Sequence, residues 1–172
     1  MSGYLYRFLK DGQAVIKSKL FPYYSTKSSC LNIALIGVGC NLGDCKKRFN
    51  KLFFKIKKDG LIDIVATSII YKNPPFGYLN QPYFFNTLML ISTKLQPMEL
   101  LRYLQHLEKY FKRKREFKNS PRTLDLDIIL YQKRKIKKGS RLIVPHPHWQ
   151  NRQSVLLPLE FLKGVKCLKR VL

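Results

Sequence analysis

Apolar and polar positions along this chain predict four main strands. Runs rich in apolar and β-branched residues occupy residues 32–38, 61–73, 83–93 and 122–132. A shorter apolar run that starts at Arg141 predicts a further strand. It is followed by a turn rich in proline and histidine, and then by a short helix or irregular segment.

Two other segments have the spacing of amphipathic helices. In residues 45–60, aromatic and aliphatic side chains recur at helical intervals, and Gly60 ends the pattern. Residues 96–111 carry a leucine stripe on one face, with Pro97 in the first turn. We therefore predict one helix in each segment.

The predicted order of elements is β-α-β-β-α-β followed by a tail. This order is typical of a ferredoxin-like α+β sandwich, in which two helices pack on one face of an antiparallel sheet. A length of 172 residues suits one compact domain with a substantial core. We expect that domain over residues 31–172, after a basic extension, residues 1–30, with a short hairpin near Asp11 and Gly12.

The charge balance adds a constraint on partners. The chain has 33 Lys and Arg against 10 Asp and Glu, a formal net charge of +23. This excess is compatible with a nucleic acid, a membrane surface, a phosphorylated small molecule or simply a solvated basic surface. The longest uncharged run, residues 73–93, contains prolines and amides and does not predict a membrane span.

The N-terminus lacks the features of a secretory signal, and its low acid content leaves organelle targeting as an alternative to the cytoplasm. The four cysteines, Cys30, Cys40, Cys45 and Cys167, are irregularly spaced. They include no C-x-x-C pair of the kind found in zinc sites, and their spacing suggests no disulfide framework. We therefore expect a cytoplasmic protein with four reduced thiols.

Two aspartates stand out in the last predicted strand. Asp125 and Asp127 are two residues apart, so they share one face while Leu124, Leu126 and Ile128 take the other. Two carboxylates at this spacing can bind Mg²⁺, which also takes phosphate oxygens and water as ligands. A polar strand face exposed to water is the alternative.

Basic residues near this pair favour phosphate chemistry. Arg113 and Arg115 lie in the preceding loop, and Arg122 lies three residues before the first aspartate. Arginine forks match phosphate oxygens in a bidentate manner. His146, in a rigid proline turn, and Arg152 could add contacts, although His146 is also compatible with an ordinary surface turn.

The segment GVGCNLG, residues 37–43, is rich in glycine but is neither a P-loop nor a dinucleotide-binding fingerprint. Alone it predicts only a tight turn. However, four stretches occur together and in order: IALIGVGCNLGD, NPPFGYLNQPYFFNTLMLIST, PRTLDLDIIL, and RLIVPHP with NRQSVLLPLEF. Over roughly residues 33–161 they resemble the 6-hydroxymethyl-7,8-dihydropterin pyrophosphokinase family.

The resemblance implies a ferredoxin-like fold and a reaction of folate biosynthesis. A pyrophosphoryl group would pass from ATP to the pterin hydroxymethyl oxygen and leave AMP, with two Mg²⁺ ions bound. The implied partners are this pterin and ATP, with no nucleic acid and no membrane, and we expect a monomer.

The resemblance also implies roles for individual residues. The metal ligands would be Asp125 and Asp127. The catalytic group would be Arg113, Arg122, Asp125 and Asp127. The ATP contacts would be Gln105, Glu108, Arg115, Arg122, Arg141, His146 and Arg152. The pterin contacts would be Asn41, Asn73, Pro74, Phe76, Phe84 and Asn86.

The chain departs from the family pattern in three places. Ser154 stands where a second aromatic residue would stack on the pterin, and Asn119 stands at a loop position usually held by tryptophan. The extension of residues 1–30 has no counterpart in the family. Ser154 and Asn119 motivate a second reading, in which the protein is a degenerate family member with a structural or interaction role.

An RNA-binding module on the same fold is a further alternative. It would use strand aromatics such as Phe84 and Phe85 to stack bases, and the high positive charge favours it. The aromatic signature of that module is absent, and acidic residues on the binding sheet would repel phosphate. The enzyme reading is therefore preferred, and magnesium-dependent use of ATP with pterin would distinguish the two.

Overall fold

The computed structural model of this chain describes residues 4–26, 31–75, 77–114, 117 and 120–172. The strands within these ranges are β1 (Leu5–Phe8), β2 (Ala14–Lys17), β3 (Tyr23–Tyr24), β4 (Asn32–Cys40), β5 (Ile62–Thr67), β6 (Ile70–Asn73), β7 (Phe84–Thr93), β8 (Asp125–Tyr131), β9 (Ile136–Lys138) and β10 (Leu142–Val144). The α-helices are α1 (Cys45–Asp59), α2 (Pro97–Tyr110) and α3 (Gln153–Glu160).

The strands form one large antiparallel sheet and one small hairpin. The order across the large sheet is β1-β2-β6-β7-β4-β8, while β5 pairs with β7 beyond the end of β6 and is flanked by β3. Strands β9 and β10 pair only with each other. The protein is therefore α+β with an antiparallel sheet, as its sequence predicts.

Local sequence explains where α1 begins and ends. The side chain of Asp44 caps the helix by accepting a hydrogen bond from the backbone N–H of Lys47 at 3.0 Å. At the other end Gly60 takes a left-handed conformation, with φ of 68°, which glycine adopts at low cost. The predicted helix is confirmed at both ends.

Helix α2 also has a sequence-encoded start. Gln96 and Glu99 form a capping box, and the Gln96 N–H donates to the Glu99 carboxylate at 2.7 Å. Pro97 occupies the first turn, where its missing N–H costs nothing. Within the described ranges, no helix combines the length and apolarity that crossing a membrane requires.

The two faces of the large sheet are covered differently. On one face, α1 and α2 bury residues such as Phe49 and Leu104 against strand residues including Ile36 and Ile128. On the other face, α3 and the C-terminal segment cover only part of the sheet, with Leu159 and Leu168 in a second apolar cluster. The uncovered remainder of this face is available for a site.

Several predicted elements need correction. Residues 61–73 form two strands, β5 and β6, because the chain changes neighbours between Thr67 and Ile70. The apolar pattern predicts no strand in the basic segment after β8, but part of this segment is β9, which pairs with β10. Gly37 and Gly39 lie inside β4 and not in a tight turn, because β7 and β8 pair with β4 through these positions.

The expectation of four reduced thiols is wrong for two of them. Cys40 ends β4 and Cys45 begins α1, and a disulfide joins them across a Cα–Cα distance of 5.6 Å. The tight connection between strand and helix brings the two thiols together, which their spacing in the sequence does not reveal. Cys167 is buried, and Cys30 lies outside the described residues.

Candidate active site

A cleft of about 1270 Å³ lies on the uncovered part of the sheet. Its floor comes from β4, β6, β7 and β8, and its walls come from the loop before β8 and from the segment leading into α3. Single small-molecule sites usually measure about 300–1,000 Å³. The cleft is therefore large enough for two ligands side by side.

A row of facing residues crosses the floor. In the strand pairings, Tyr71 of β6 is opposite Asn86 of β7, Asn86 is opposite Gly39 of β4, and Gly39 is opposite Asp125 of β8. Residues directly opposite in neighbouring strands project to the same side of a sheet. The row therefore connects an amide and a carboxylate across one surface.

Gly37 and Gly39 of β4 add no side chain to the floor of the cleft, where neighbouring side chains lie close. A Cβ added at Gly39 would lie 3.2 Å from the Asn86 side-chain oxygen and 3.5 Å from the Cβ of Asp125. A Cβ at Gly37 would lie 3.0 Å from the Cδ1 of Ile129. Glycine at these positions gives the polar side chains room beside the strand.

Asp125 is held by two arginines. Its Oδ1 lies 2.6 Å from an Nη1 of Arg113, and its Oδ2 lies 2.7 Å from the Nη1 of Arg122. The Nε atoms of both arginines are buried and have no hydrogen-bond partner among the described residues. Both guanidinium groups line the cleft, where their forked N–H geometry suits the oxygens of a phosphate.

Glu108 fixes one of these arginines from behind. This carboxylate, buried near the end of α2, forms an ion pair with Arg113 and accepts a hydrogen bond from the backbone N–H of Leu126 at 2.8 Å. It thereby connects the loop before β8 to β8 itself. Glu108 thus contributes to the site through Arg113, without lining the cleft.

Asp127 lies further along the same face of β8. Burial of the carboxylate raises its pKa, and the neighbouring Asp125 raises it further, whereas His146, Arg113 and Arg152 oppose this rise. The Nε2 of His146 is 4.0 Å from the carboxylate, whose side chain is still 44% exposed to the cleft. A bound cation would relieve the repulsion between the two carboxylates.

His146 is placed by its backbone. Its N–H donates to the carbonyl oxygen of Ile129 in β8 at 2.8 Å, which holds the proline turn against the strand. Arg152 and Ser154 follow this turn and also line the cleft. The turn therefore brings a histidine and an arginine into the cleft that holds Asp127.

Arg122 links the aspartates to an aromatic wall. Its guanidinium carbon lies 5.3 Å from the ring centroid of Phe84, a cation–π contact. Its backbone N–H donates to the Oδ1 of Asn41 at 2.7 Å. Asn41 is buried and donates in turn to Gln81 and to the carbonyl of Pro82, at 2.8 and 3.2 Å. Asn41 therefore supports the site from beneath and does not line it.

The side-chain amides of Asn73 and Asn86 line the other end of the cleft, the amide end. The Asn86 Nδ2 donates to the Oδ1 of Asn73 at 2.7 Å, and the Asn73 Nδ2 donates to the carbonyl of Pro74 at 2.8 Å. Phe84 of β7 is directly opposite Asn73 and, two residues before Asn86, lies on the same face of the strand. This end offers amides and an aromatic ring, which suits a flat heterocycle with several hydrogen-bonding edges.

The structure places most of the predicted site residues in or against the cleft. The predicted residues that line it are Asn73, Pro74, Phe84, Asn86, Arg113, Arg122, Asp125, Asp127, His146 and Arg152. Gln105 and Arg141 are exposed and lie outside the cleft. Phe76 and Arg115, together with Asn119, lie outside the described residues.

Other cleft residues were not foreseen. Lys114 and Phe117 come from the loop before β8, where the basic composition was the only available signal. Gln13 lies just before β2 and Tyr71 lies in β6, the strand with which β2 pairs. No motif marks Gln13, because its place depends on how residues before β4 join the sheet.

The donor set fits magnesium better than zinc. Among the described residues, no cluster of three or more His, Cys, Asp and Glu side chains could by itself enclose a metal ion. Mg²⁺ commonly uses one or two carboxylates and takes its other ligands from phosphates and water. The adjacent carboxylates of Asp125 and Asp127, open to a large cleft, match this mode of binding.

Comparisons with known proteins agree with this geometry. The sequence profile of the 7,8-dihydro-6-hydroxymethylpterin-pyrophosphokinase family matches residues 35–164. A protein of Campylobacter jejuni named 2-amino-4-hydroxy-6-hydroxymethyldihydropteridine pyrophosphokinase is 45% identical over 144 residues, which cover 83% of this chain and 91% of that protein.

Proteins of the same name in two other bacteria are also similar. The one from Helicobacter pylori is 36% identical over 148 residues, covering 84% of this chain and 90% of its own length. The one from Bacillus subtilis is 38% identical over 128 residues, covering 74% and 76%. These matches extend over most of each chain, so the likeness is not limited to a short motif.

Proposed function

This chain belongs to the 7,8-dihydro-6-hydroxymethylpterin-pyrophosphokinase family, and we propose that its cleft transfers a pyrophosphoryl group from ATP to 6-hydroxymethyl-7,8-dihydropterin. The acceptor is the hydroxymethyl group, AMP is released, and the product serves folate biosynthesis. The observation that carries the proposal is the joint placement of two carboxylates, three arginines and an amide–aromatic wall in one cleft. The strand order around β4 also supports a ferredoxin-like core.

The charged end of the cleft is assigned to ATP. Arg113 and Arg122 reach it from the loop before β8, and Arg152 and His146 reach it from the segment before α3. Cationic groups on two sides suit a triphosphate better than a single phosphate, because its charge is spread over several oxygens. Gln105, Arg115 and Arg141 are proposed as outer ATP contacts from the family resemblance alone.

Mg²⁺ is assigned to Asp125 and Asp127, and when bound it would neutralise phosphate charge and orient the reacting groups. The proposal of two ions rests on the family resemblance. Burial, and after it repulsion from Asp125, raises the pKa of Asp127, and a cation bound between the two carboxylates would offset both effects.

The amide end is assigned to the pterin. Asn73 and Asn86 present side-chain amides, Phe84 presents its ring, and Asn41 supports the wall from beneath. Phe76 is proposed as a further contact from the resemblance. This placement directs the pterin hydroxymethyl group toward the aspartates, since the facing row connects Asn86 with Asp125 across one strand.

The chain's own residues then act mainly by positioning and electrostatics. The pterin oxygen forms a bond to the β-phosphorus, the bond from that phosphorus to the oxygen of the α-phosphate breaks, and the hydroxyl proton is lost to solvent. Arg113 and Arg122 stabilise negative charge that shifts along the triphosphate as this occurs. No protein nucleophile is required.

The test is the production of AMP from ATP and Mg²⁺, with and without the pterin. The proposal expects AMP only when pterin is present, and loss of activity after chelation that added Mg²⁺ restores. Production of ADP would mean that the γ-phosphoryl group is transferred, which would overturn the assignment. No turnover by folded protein would favour the degenerate or RNA-binding reading. The cytoplasmic location and monomeric state stay predictions.

A further inference from the structure

The chain begins with a hairpin that precedes the family match. This N-terminal hairpin comprises β1, β2 and the turn between them, whereas the family profile begins at residue 35. Strand β2 pairs with β6, so that Val15 is opposite Tyr71 and Ala14 is opposite Lys72. The hairpin therefore extends the sheet that forms the floor of the cleft.

Gln13 enters the cleft from this hairpin. It is half-buried, lines the cleft wall, and accepts a hydrogen bond through its Oε1 from the hydroxyl of Tyr71. The turn holds its backbone on both sides: the Leu9 N–H donates to the Gln13 carbonyl at 2.9 Å, and the Gln13 N–H donates to the Lys10 carbonyl at 3.1 Å. These two hydrogen bonds fix the backbone from which the Gln13 side chain extends.

Tyr71 connects Gln13 to the amide end of the cleft, since its hydroxyl donates to Gln13 and its backbone is paired with Asn86. It is 3% exposed and lies directly opposite Asn86, the amide that is hydrogen-bonded to Asn73. Burial raises the pKa of the Tyr71 hydroxyl, which keeps it protonated as a donor. A buried hydroxyl that lost its acceptor would either pay a desolvation cost or move to find another partner.

The turn of the hairpin also contacts Tyr83, the residue just before β7. The Tyr83 hydroxyl donates to the carbonyl of Asp11 at 3.2 Å, and its ring packs against Gly12, where an added Cβ would lie 3.2 Å from the ring. Gly12 has a φ of +69°, which glycine accommodates without strain. Tyr83 immediately precedes Phe84, so the hairpin holds the start of the aromatic wall.

A third contact joins the hairpin to α3, the helix whose first turn lines the cleft. Val15 and Tyr71 form a small apolar cluster, and Leu157 of α3 packs against it. The first turn of this helix carries Ser154, which also lines the cleft. The hairpin is therefore packed against both sides of the amide end.

We propose that Gln13 is a positioning residue for the pterin, acting through Tyr71 on the paired amides of Asn73 and Asn86. This inference rests on the proposed function and adds a part of the site that lies outside the family match. It predicts that loss of the Gln13 acceptor weakens pterin binding and leaves ATP binding unchanged, because the arginines and aspartates do not depend on the hairpin for their contacts.

The test compares four variants by direct binding of pterin and of ATP with Mg²⁺, and by thermal melting. Gln13→Ala and Tyr71→Phe should each weaken pterin binding about fivefold, the value of one neutral hydrogen bond. Their combination should be no weaker than either alone, because both remove the same bond. Gln13→Glu keeps an acceptor and should bind pterin like the wild type. Lys10→Ala, an exposed change in the same turn, serves as the control.

Three outcomes would overturn the inference while the proposed function stood. The first is that Gln13→Ala binds pterin as well as Lys10→Ala does. The second is that Gln13→Ala weakens pterin and ATP binding equally and also lowers the melting temperature. The third is that Gln13→Glu fails to bind pterin like the wild type. The second outcome would show a merely structural role. Wild-type protein that binds ATP but neither binds pterin nor makes AMP with it would instead overturn the proposed function itself.

Discussion

The two ends of the cleft are built in opposite ways. At the amide end, Asn41 and Asn86 donate to partners at 2.7–3.2 Å, and Asn73 both donates and accepts. At the charged end, Arg113 and Arg122 leave buried Nε atoms without partners among the described residues, and the pKa of Asp127 is raised. The amide end is satisfied without a ligand, whereas the charged end is not.

This contrast indicates where binding changes the protein most. A preformed, hydrogen-bonded wall binds a flat ligand with little rearrangement. Both oxygens of Asp125, a carboxylate proposed to bind Mg²⁺, already contact arginines, so the ion must either share these oxygens with the arginines or displace one of them. The charged end should therefore dominate catalysis and the amide end should dominate pterin affinity.

The largest expected effect comes from Asp127→Asn. Loss of a metal-coordinating carboxylate should lower kcat by roughly a thousandfold or more. The ligand-free variant should melt at the same temperature as the wild type or higher, because the change removes an unfavourable charge. Assays of AMP formation and thermal melting measure both effects.

The pH dependence of the melting temperature provides a second test of the Asp127→Asn variant. A raised folded-state pKa means that ionised Asp127 is less favourable in the fold than in the unfolded chain, so its cost appears as pH rises above about 4. The melting advantage of Asp127→Asn should then grow with pH and reach its full value above the raised pKa. Asp11→Asn, at an exposed position of the hairpin turn, is the control. Near-normal turnover by Asp127→Asn would contradict the metal assignment.

The second effect concerns Arg113→Ala. Its guanidinium bridges Glu108 and Asp125 before ligands bind, and it is expected to stabilise charge during transfer. We expect kcat to fall about a hundredfold and ATP affinity to fall much less, since removal of a transition-state contact lowers turnover selectively. Single-turnover kinetics and ATP titration separate the two quantities.

A matched control for Arg113→Ala is Lys112→Ala. Lys112 is the exposed neighbour in the same loop, and it does not line the cleft. It should retain most of the wild-type turnover. Equal losses of ATP affinity and turnover in Arg113→Ala would instead identify Arg113 as a simple binding residue.

The charged end was predictable because its residues are close in sequence. A period-two alternation places Asp125 and Asp127 on one face of β8, and the burial of Leu126 and Ile128 on the other face confirms that reading. Arg122 is three residues from Asp125, so one strand and its approach determine their contact. Local patterns suffice for such a cluster.

The amide end was predictable only through resemblance. Asn41, Asn73 and Asn86 come from three separate segments, and their proximity depends on which strands pair. The role of Gly39 was also misread, because a glycine-rich run looks the same in a turn and in a strand that must approach a neighbour closely. The Gln13 contact and the Cys40–Cys45 disulfide similarly require the tertiary fold.

A smaller effect is expected at the amide end from Asn86→Ala. Removal of this side chain should weaken pterin binding about fivefold to tenfold and change ATP binding little, because an amide contact contributes about 1–1.5 kcal/mol. Isothermal titration with each ligand provides the comparison. Asn80→Ala, at an exposed loop position that does not line the cleft, is the control. A larger loss of ATP than of pterin binding would reverse the assignment of the two ends.

The smallest effect should come from Ser154→Phe. Ser154 lines the cleft at the position where the family resemblance implies a second stacking aromatic, and Phe84 supplies the first. Stacking contributes about 0.5–1.5 kcal/mol, so pterin binding should tighten about twofold to tenfold while kcat stays close to that of the wild type. Ser154→Leu, which adds apolar volume without a ring, should gain less. If both variants bind pterin more weakly, then the cleft beside Ser154 already fits the pterin closely, and a larger side chain there obstructs binding.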